Sequence, residues 1–265
     1  MKYFDEENKR IIYIKNQATP DFWDEQWSGD DLKSDVERNG KNDDFVRLFT
    51  KKYIKADKSS KILEGGCGKG HFVYSLNEAG FDSYGIDFAP QIIKKLKLLF
   101  PDLHYELGDV RKLEFADDYF DGYWSLGVIE HFYDGYDDIA SEMKRVLKSG
   151  GYLFITFPQM SILRKVKAGL GLYKKFETEI NKENFYQFAL DSKKVSRHFI
   201  DNGFTLIENK ALDGANGLRD EMGASAFMNK LYGDQGLNFK IMRKLINICF
   251  SWFSGHVTLL VLRKK

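Results

Sequence analysis

Cysteine and proline are scarce in this 265-residue chain. The two cysteines, Cys67 and Cys249, lie far apart and fit no Cys/His spacing that would hold zinc. Neither a disulfide framework nor a structural zinc site is indicated, and a reducing compartment fits. A charge excess of one sign is also missing: 40 Lys and Arg stand against 39 Asp and Glu, for a net charge of +1. That balance excludes a protein whose main work is coating nucleic acid by charge alone. No apolar run approaches the ~18 residues of a membrane span. The N-terminal MKYFDEENKR has no apolar segment of the signal-peptide kind, so a cytoplasmic location is expected. What is present is a globular composition, 43% hydrophobic and 30% charged, which excludes general disorder. At about 150 residues per domain the length allows one domain or two, and a core large enough to need no staple.

Residues 1–60 are polar, with an aromatic cluster at Phe22, Trp23 and Trp27 and a helical pattern over 43–53; no strand is expected there. From residue 61 short apolar runs alternate with helical ones. KILEGGCGKG reads as strand then glycine turn, and a helix follows through Phe72, Val73, Leu76 and Ala79 to the stop at Gly80. Further strands are expected at 83–87, 103–107, 122–126 and 152–157, and helices at 90–100 and 137–147. A helix at 192–202 and strands at 205–209 and 257–262 complete the pattern. The fold class is therefore α/β: a Rossmann-like, mostly parallel seven-stranded sheet with helices on both faces. The chain divides into an N-terminal helical arm or lid, 1–60, and an α/β domain, 61–265. Two insertions, about 159–190 and 211–255, are too long for bare connectors and are expected to form helical caps.

The run Glu64-Gly65-Gly66-Cys67-Gly68-Lys69-Gly70 stands where a strand gives way to a helix. Glycines there let the backbone turn sharply and approach a ligand at the helix N-terminus. The dinucleotide pattern G-x-G-x-x-G fails, because position 71 is His71, and no Gly-Lys-Ser/Thr completes a P-loop. Asp87 ends the second strand of this series, 21 residues after Gly66, where a carboxylate can accept from both hydroxyls of a ribose. Asp109 follows the third strand, placed to accept from an exocyclic amine. Each feature alone could be a turn or a cap; order, spacing and element boundaries together point to a nucleoside ligand.

With these residues the sequence resembles the class I S-adenosylmethionine-dependent methyltransferases. The resemblance rests on ILEGGCGKG, YGIDFAP, LGDVRKLEF, FDGYWSLGVIEHF and RVLKSGGYLFITFP, and covers residues 60–158 well. It implies S-adenosyl-L-methionine as cofactor, leaving S-adenosyl-L-homocysteine. Gly66, Gly68 and Gly70 would line its methionine part, with Cys67 in the same loop as a small packed residue. Glu64 would orient the loop, Asp87 would hold the ribose, and Phe88 would lie on the adenine. Asp109 and Val110 would bind the adenine edge, and Leu126 would offer backbone contacts. Ser149 replaces a proline usual in the family.

Glu130-His131 follows the fourth strand of the series, where His131 is either a general base for a hydroxyl acceptor or a packing residue, and Glu130 fixes the loop. Trp23 and Trp27 either cover the cofactor or pack the arm onto the core. The acidic run through Asp134, Asp137 and Asp138 reads as a solvated helix start, and no metal is expected. The chain lacks the Pro-Pro and Pro-Cys signatures of the family's DNA enzymes, so no DNA substrate is expected. A basic patch, Arg164, Lys165, Lys167, Lys174 and Lys175, leaves structured RNA open. The stretches 161–176 and 237–253 mix basic and apolar residues, as cap helices or as helices lying on a membrane surface. The expected activity is methyl transfer to a small-molecule acceptor, at oxygen ahead of nitrogen or carbon. A non-catalytic cofactor-binding protein and a nicotinamide oxidoreductase are the alternatives.

Overall fold

Alternation at period two sends neighbouring side chains of each central strand to opposite faces of the sheet. In the computed structural model, which describes residues 1–15, 18–27, 31–176, 184–223, 230–231, 233 and 236–265, both faces are buried. The elements run β1 Lys2–Asp5, β2 Arg10–Ile14, α1 Pro20–Trp27, α2 Leu32–Lys41, α3 Phe45–Tyr53, β3 Lys61–Gly65, α4 His71–Glu78, β4 Asp82–Asp87, α5 Pro90–Leu99, β5 His104–Leu107 and β6 Phe120–Leu126. After a 3-10 turn, Ile129–His131, come α6 Asp137–Val146, β7 Leu147–Pro158, α7 Ile162–Gly169, β8 Lys174–Lys175, β9 Phe185–Ala189, α8 Ser192–Asp201, β10 Phe204–Leu212 and α9 Gly214–Met222. The described chain ends with α10 Leu237–Ser254 and β11 Val257–Lys264.

Seven strands form the main sheet in the order β10-β11-β7-β6-β3-β4-β5. β11 is antiparallel to both β7 and β10, and the other pairings are parallel. Ile62, Trp124, Phe154, Leu259 and Val261 pack on one face with α3 and α4. Leu63, Tyr123, Leu153, Ile155 and Leu260 pack on the other, with α6 and α8. The chain leaves β3 for β4 and β5, then returns to β6 on the opposite side of β3. Strand order reverses between β3 and β6, and the crevice beyond their carboxyl ends is where such sheets take ligands.

The N-terminal segment differs from the helical arm expected of it. β1 and β2 form an antiparallel hairpin within a second sheet, β8-β1-β2-β9. Its turn is fixed by Asp5, which accepts from the backbone N–H groups of Glu7 and Asn8 and from the Arg10 side chain. The Arg10 guanidinium then lies 3.6 Å over the Phe188 ring on β9. The insertion over 159–190 is likewise not wholly helical: it supplies α7, β8 and β9, and its residues 177–183 lie outside the described ones. The Ser149-Gly150-Gly151 turn is absorbed into β7.

The basic patch is dispersed by folding. Arg164 is fully buried, bonded by Nη2 to Asp220 at 2.8 Å and by Nε to Glu221 at 3.1 Å. Lys167 pairs with Glu221, Lys165 with Asp191 and Lys175 with Glu6. Arg164 and Lys167 tie α7 to α9, Lys165 ties it to the start of α8, and Lys175 ties β8 to the hairpin turn, with the Lys165 and Lys175 side chains still exposed. No helix among the described residues is long and apolar enough to cross a membrane.

Candidate cofactor and acceptor site

β3 ends in the glycine turn, and the turn is closed by β4. The N–H groups of Gly66 and Cys67 both donate to the Ile86 carbonyl, at 2.7 and 2.9 Å. The Gly68 N–H donates to Asp87 Oδ2 at 2.8 Å, and the Ala89 N–H donates to Oδ1 at 3.0 Å. The Asp87 carboxylate is thus oriented by backbone at the mouth of the crevice. Burial raises its pKa against those hydrogen bonds. Gly68 has φ +48°, and a Cβ built there would stand 3.1 Å from the Trp27 ring. Only glycine combines that left-handed backbone with so close a cover.

A cavity of about 690 Å³ opens beside this turn. Of the residues singled out from sequence, Trp23, Trp27, Gly66, Asp87, Phe88, Asp109, Val110, Leu126 and His131 line it. Phe88 leaves an exposed ring next to Asp87. Glu64, Cys67, Gly68, Gly70 and Glu130 are not among the lining residues. Cys67 is packed with Val73 and the α5 residues Ile92 and Ile93, and burial pushes its thiol up. Gly70 accepts from the Tyr105 hydroxyl at 2.8 Å. Glu64 is buried behind the turn with Oε2 unpartnered among the described residues. Burial, with Asp87 and Asp43 nearby, raises its pKa well above the usual carboxylate range.

The arm closes the cavity through α1. Asp24 accepts from the N–H groups of Gln91 and Ile92, capping the start of α5 from another element. This pins α1 so that Trp23 and Trp27 stack at 5.3 Å, and the Trp23 ring meets His131 edge-on at 5.2 Å. Asp24 was not legible as a site-forming residue, because its partners are far away in sequence. Arg111, which also lines the cavity, was missed too. Its guanidinium pairs with Asp109 at 2.6 Å and holds that carboxyl below its usual range.

His131 sits in the 3-10 turn after β6, with Nδ1 2.7 Å from the Tyr186 carbonyl oxygen on β9. A carbonyl only accepts, so Nδ1 carries the proton and Nε2 keeps its lone pair. Burial pushes the imidazole down to about 4, so it is neutral at pH 7. Glu130 is buried beside Gly127, with Oε2 unpartnered among the described residues, and burial pushes it up to about 8. Among the described residues no three His, Cys, Asp or Glu side chains converge as a metal site. Asp137 and Asp138 stand in the first turn of α6.

A mostly parallel α/β sheet, a glycine turn and a backbone-held strand-end carboxylate meet at the switch point, the place where such sheets take ligands. Residues 63–155 match the family described as "Methyltransferase domain". That match runs from β3 into β7.

Among curated relatives, the tRNA U34 carboxymethyltransferase of Sulfurimonas denitrificans is 30% identical over 111 residues, 38% of this chain and 36% of the relative. A phthiotriol/phenolphthiotriol dimycocerosates methyltransferase of Mycobacterium ulcerans is 29% identical over 166 residues, 58% of this chain and 64% of the relative. The matches therefore span less than two thirds of those relatives' lengths. Among solved structures, a chain in the complex of the Haloferax volcanii Trm112 methyltransferase activator with a methyltransferase gives a TM-score of 0.58 at 15% identity, over 91% of this chain and 97% of that one. The [4+2]-cyclase SpnF gives 0.55 at 14% identity, over 96% and 98%. These likenesses are of fold. A shared fold does not by itself dictate the reaction.

Proposed function

We propose that this chain is an S-adenosylmethionine-dependent methyltransferase acting on a hydroxyl of a small-molecule acceptor. The residues present fit the cofactor: Asp87 offers a carboxylate already oriented by Gly68 and Ala89 for a ribose, with the exposed Phe88 ring beside it for a purine. The glycine turn supplies close backbone approach, and Asp109 and Val110 line the same cavity. When bound, S-adenosylmethionine supplies a sulfonium methyl group already activated for in-line displacement.

The protein's own work is then to hold the acceptor on line, exclude water and receive a proton. The Trp23–Trp27 stack and α1 cover the cavity. His131 carries the acceptor reading: a neutral, cavity-lining imidazole whose Nδ1–H is tied to Tyr186 has Nε2 free to take a hydroxyl proton. The test is S-adenosylhomocysteine formation against a panel of hydroxylated and lipophilic acceptors. His131→Ala should keep cofactor binding and lose about 100-fold or more in rate. An unchanged rate makes His131 a packing residue and moves the acceptor atom to nitrogen or carbon. Cofactor binding with no turnover on any acceptor favours a non-catalytic protein.

A further inference from the structure

A helix on a protein surface normally buries its apolar stripe and shows its polar one. α10 divides its apolar residues between two faces. Phe239, Met242, Ile246 and Phe253 are half-buried, and beside them small polar residues bond to α9. The Gly214 N–H donates to Ser251 Oγ, the Ala215 N–H donates to Asn247 Oδ1, and the Ser254 hydroxyl donates to the Gly214 carbonyl. Close approach is possible because α9 presents Gly214 and Gly217, where a Cβ would collide with the α10 backbone at 2.7 and 1.6 Å. The outward face carries Ile241, Leu245, Ile248 and Trp252, which are 48%, 55%, 69% and 66% exposed. Their i, i+4, i+7, i+11 spacing gathers them within an arc of about 60° along the helix. This is a continuous apolar ridge, not scattered surface residues.

The charge around the ridge is of one sign. α10 contains Lys240, Arg243 and Lys244 and no acidic residue. With Lys210 from β10 these line an open groove of about 850 Å³, in which Asp213 is the one carboxylate among the described lining residues. A second copy docked ridge to ridge would bring these cations together, so the pattern disfavours self-association. At 18 residues α10 is about 27 Å long, but it is too charged to span a bilayer.

We propose that α10 is a membrane-docking helix. It lies in the interface of an anionic phospholipid bilayer, with Ile241, Leu245, Ile248 and Trp252 among the acyl chains and the exposed Lys240, Lys244 and Lys210 cations at phosphate depth. Val257 of β11 pairs with Pro158 and Leu212, so α9 and α10 emerge at the carboxyl end of β7, the end of the sheet on which the cofactor crevice opens. Docking therefore brings that end toward the lipid. The inference stands on α10 alone and does not depend on methyl transfer.

The test is co-sedimentation of the full chain with vesicles of neutral phosphatidylcholine, or of phosphatidylcholine with 30% (about one lipid in three) phosphatidylglycerol. An environment-sensitive dye on the exposed Cys249, beside the ridge, reports insertion; Cys67 is buried. We expect binding to anionic vesicles that weakens with salt, a blue-shifted dye, and roughly 30-fold weaker binding for Lys240→Gln/Lys244→Gln. Ile248→Ser/Trp252→Ser should abolish the dye shift. Both variants alter exposed side chains, and an unchanged unfolding midpoint confirms that they fold. Equal binding to neutral vesicles, or binding that neither variant alters, overturns the proposal. So does absence of vesicle binding, whether the chain is then monomeric or forms a dimer that Ile248→Ser/Trp252→Ser dissolves.

Discussion

Replacing Glu130 by glutamine should change how stability depends on pH far more than it changes the fold. The side chain is 2% exposed, Oε2 has no partner among the described residues, and burial moves its titration from 4.5 to about 8. A carboxyl raised in the folded state contributes stability that is complete below the unfolded value and is lost as pH rises through the folded one. Between these values the unfolded chain releases a proton that the native chain retains. Each pH unit in that interval therefore costs the native state about 1.4 kcal/mol. The loss amounts to about 3 kcal/mol by pH 7 and about 5 kcal/mol above pH 8. Glutamine has no such titration, and any fixed cost of burying its amide is independent of pH. Urea unfolding of both proteins at pH 5, 7 and 9 should show Glu130→Gln gaining on the parent by about 4 kcal/mol from the lowest pH to the highest. Stability curves that stay parallel within about 0.5 kcal/mol would refute the reasoning, because Glu130 would then be ionised or solvated in the native protein.

Gly68→Ala forces a left-handed backbone on a residue with a Cβ and presses that carbon toward Trp27. It should cost about 1–2 kcal/mol in chemical unfolding and weaken cofactor binding. An alanine variant of parental stability and affinity would contradict the close cover of the turn by α1. Arg164→Ala leaves Asp220 and the buried Glu221 without their shared guanidinium, and a loss of about 3–5 kcal/mol is expected. A loss below about 1 kcal/mol would show that Lys2, which pairs with both carboxylates, and Lys167 suffice. Because burial holds His131 down to about 4, the methyl-transfer rate should be flat from pH 5.5 to 8 as far as this group governs it. A midpoint near the ordinary histidine value would place the ring in water.

The main sheet was legible in the sequence because its strands are short apolar runs punctuated by glycine, and its helices keep a clear amphipathic period. The strand expected at 122–126 is Phe120–Leu126, and the helix expected at 137–147 is Asp137–Val146. The hairpin of residues 2–14 was not recognised, although Ile11 and Ile12 are β-branched and follow an acidic turn. Its partners β8 and β9 arrive more than 150 residues later, and no local pattern announces that pairing. The site followed the same division. Asp87 and Phe88 were legible because strand end and glycine turn are fixed by local sequence. Asp24 capping α5, Arg111 paired to Asp109 and the dispersal of the Arg164 patch arise only when distant segments meet. Cys67 shares the glycine turn, yet its side chain packs away from the cavity.

Calorimetric titration of the full chain and of Asp87→Ala with S-adenosylmethionine, S-adenosylhomocysteine and NAD tests the central claim most directly. The account predicts that the parent binds both sulfur nucleotides and not NAD, and that Asp87→Ala, folded to the same secondary structure, binds neither. Undiminished binding by Asp87→Ala, or binding of NAD in place of the sulfur nucleotides, would contradict it.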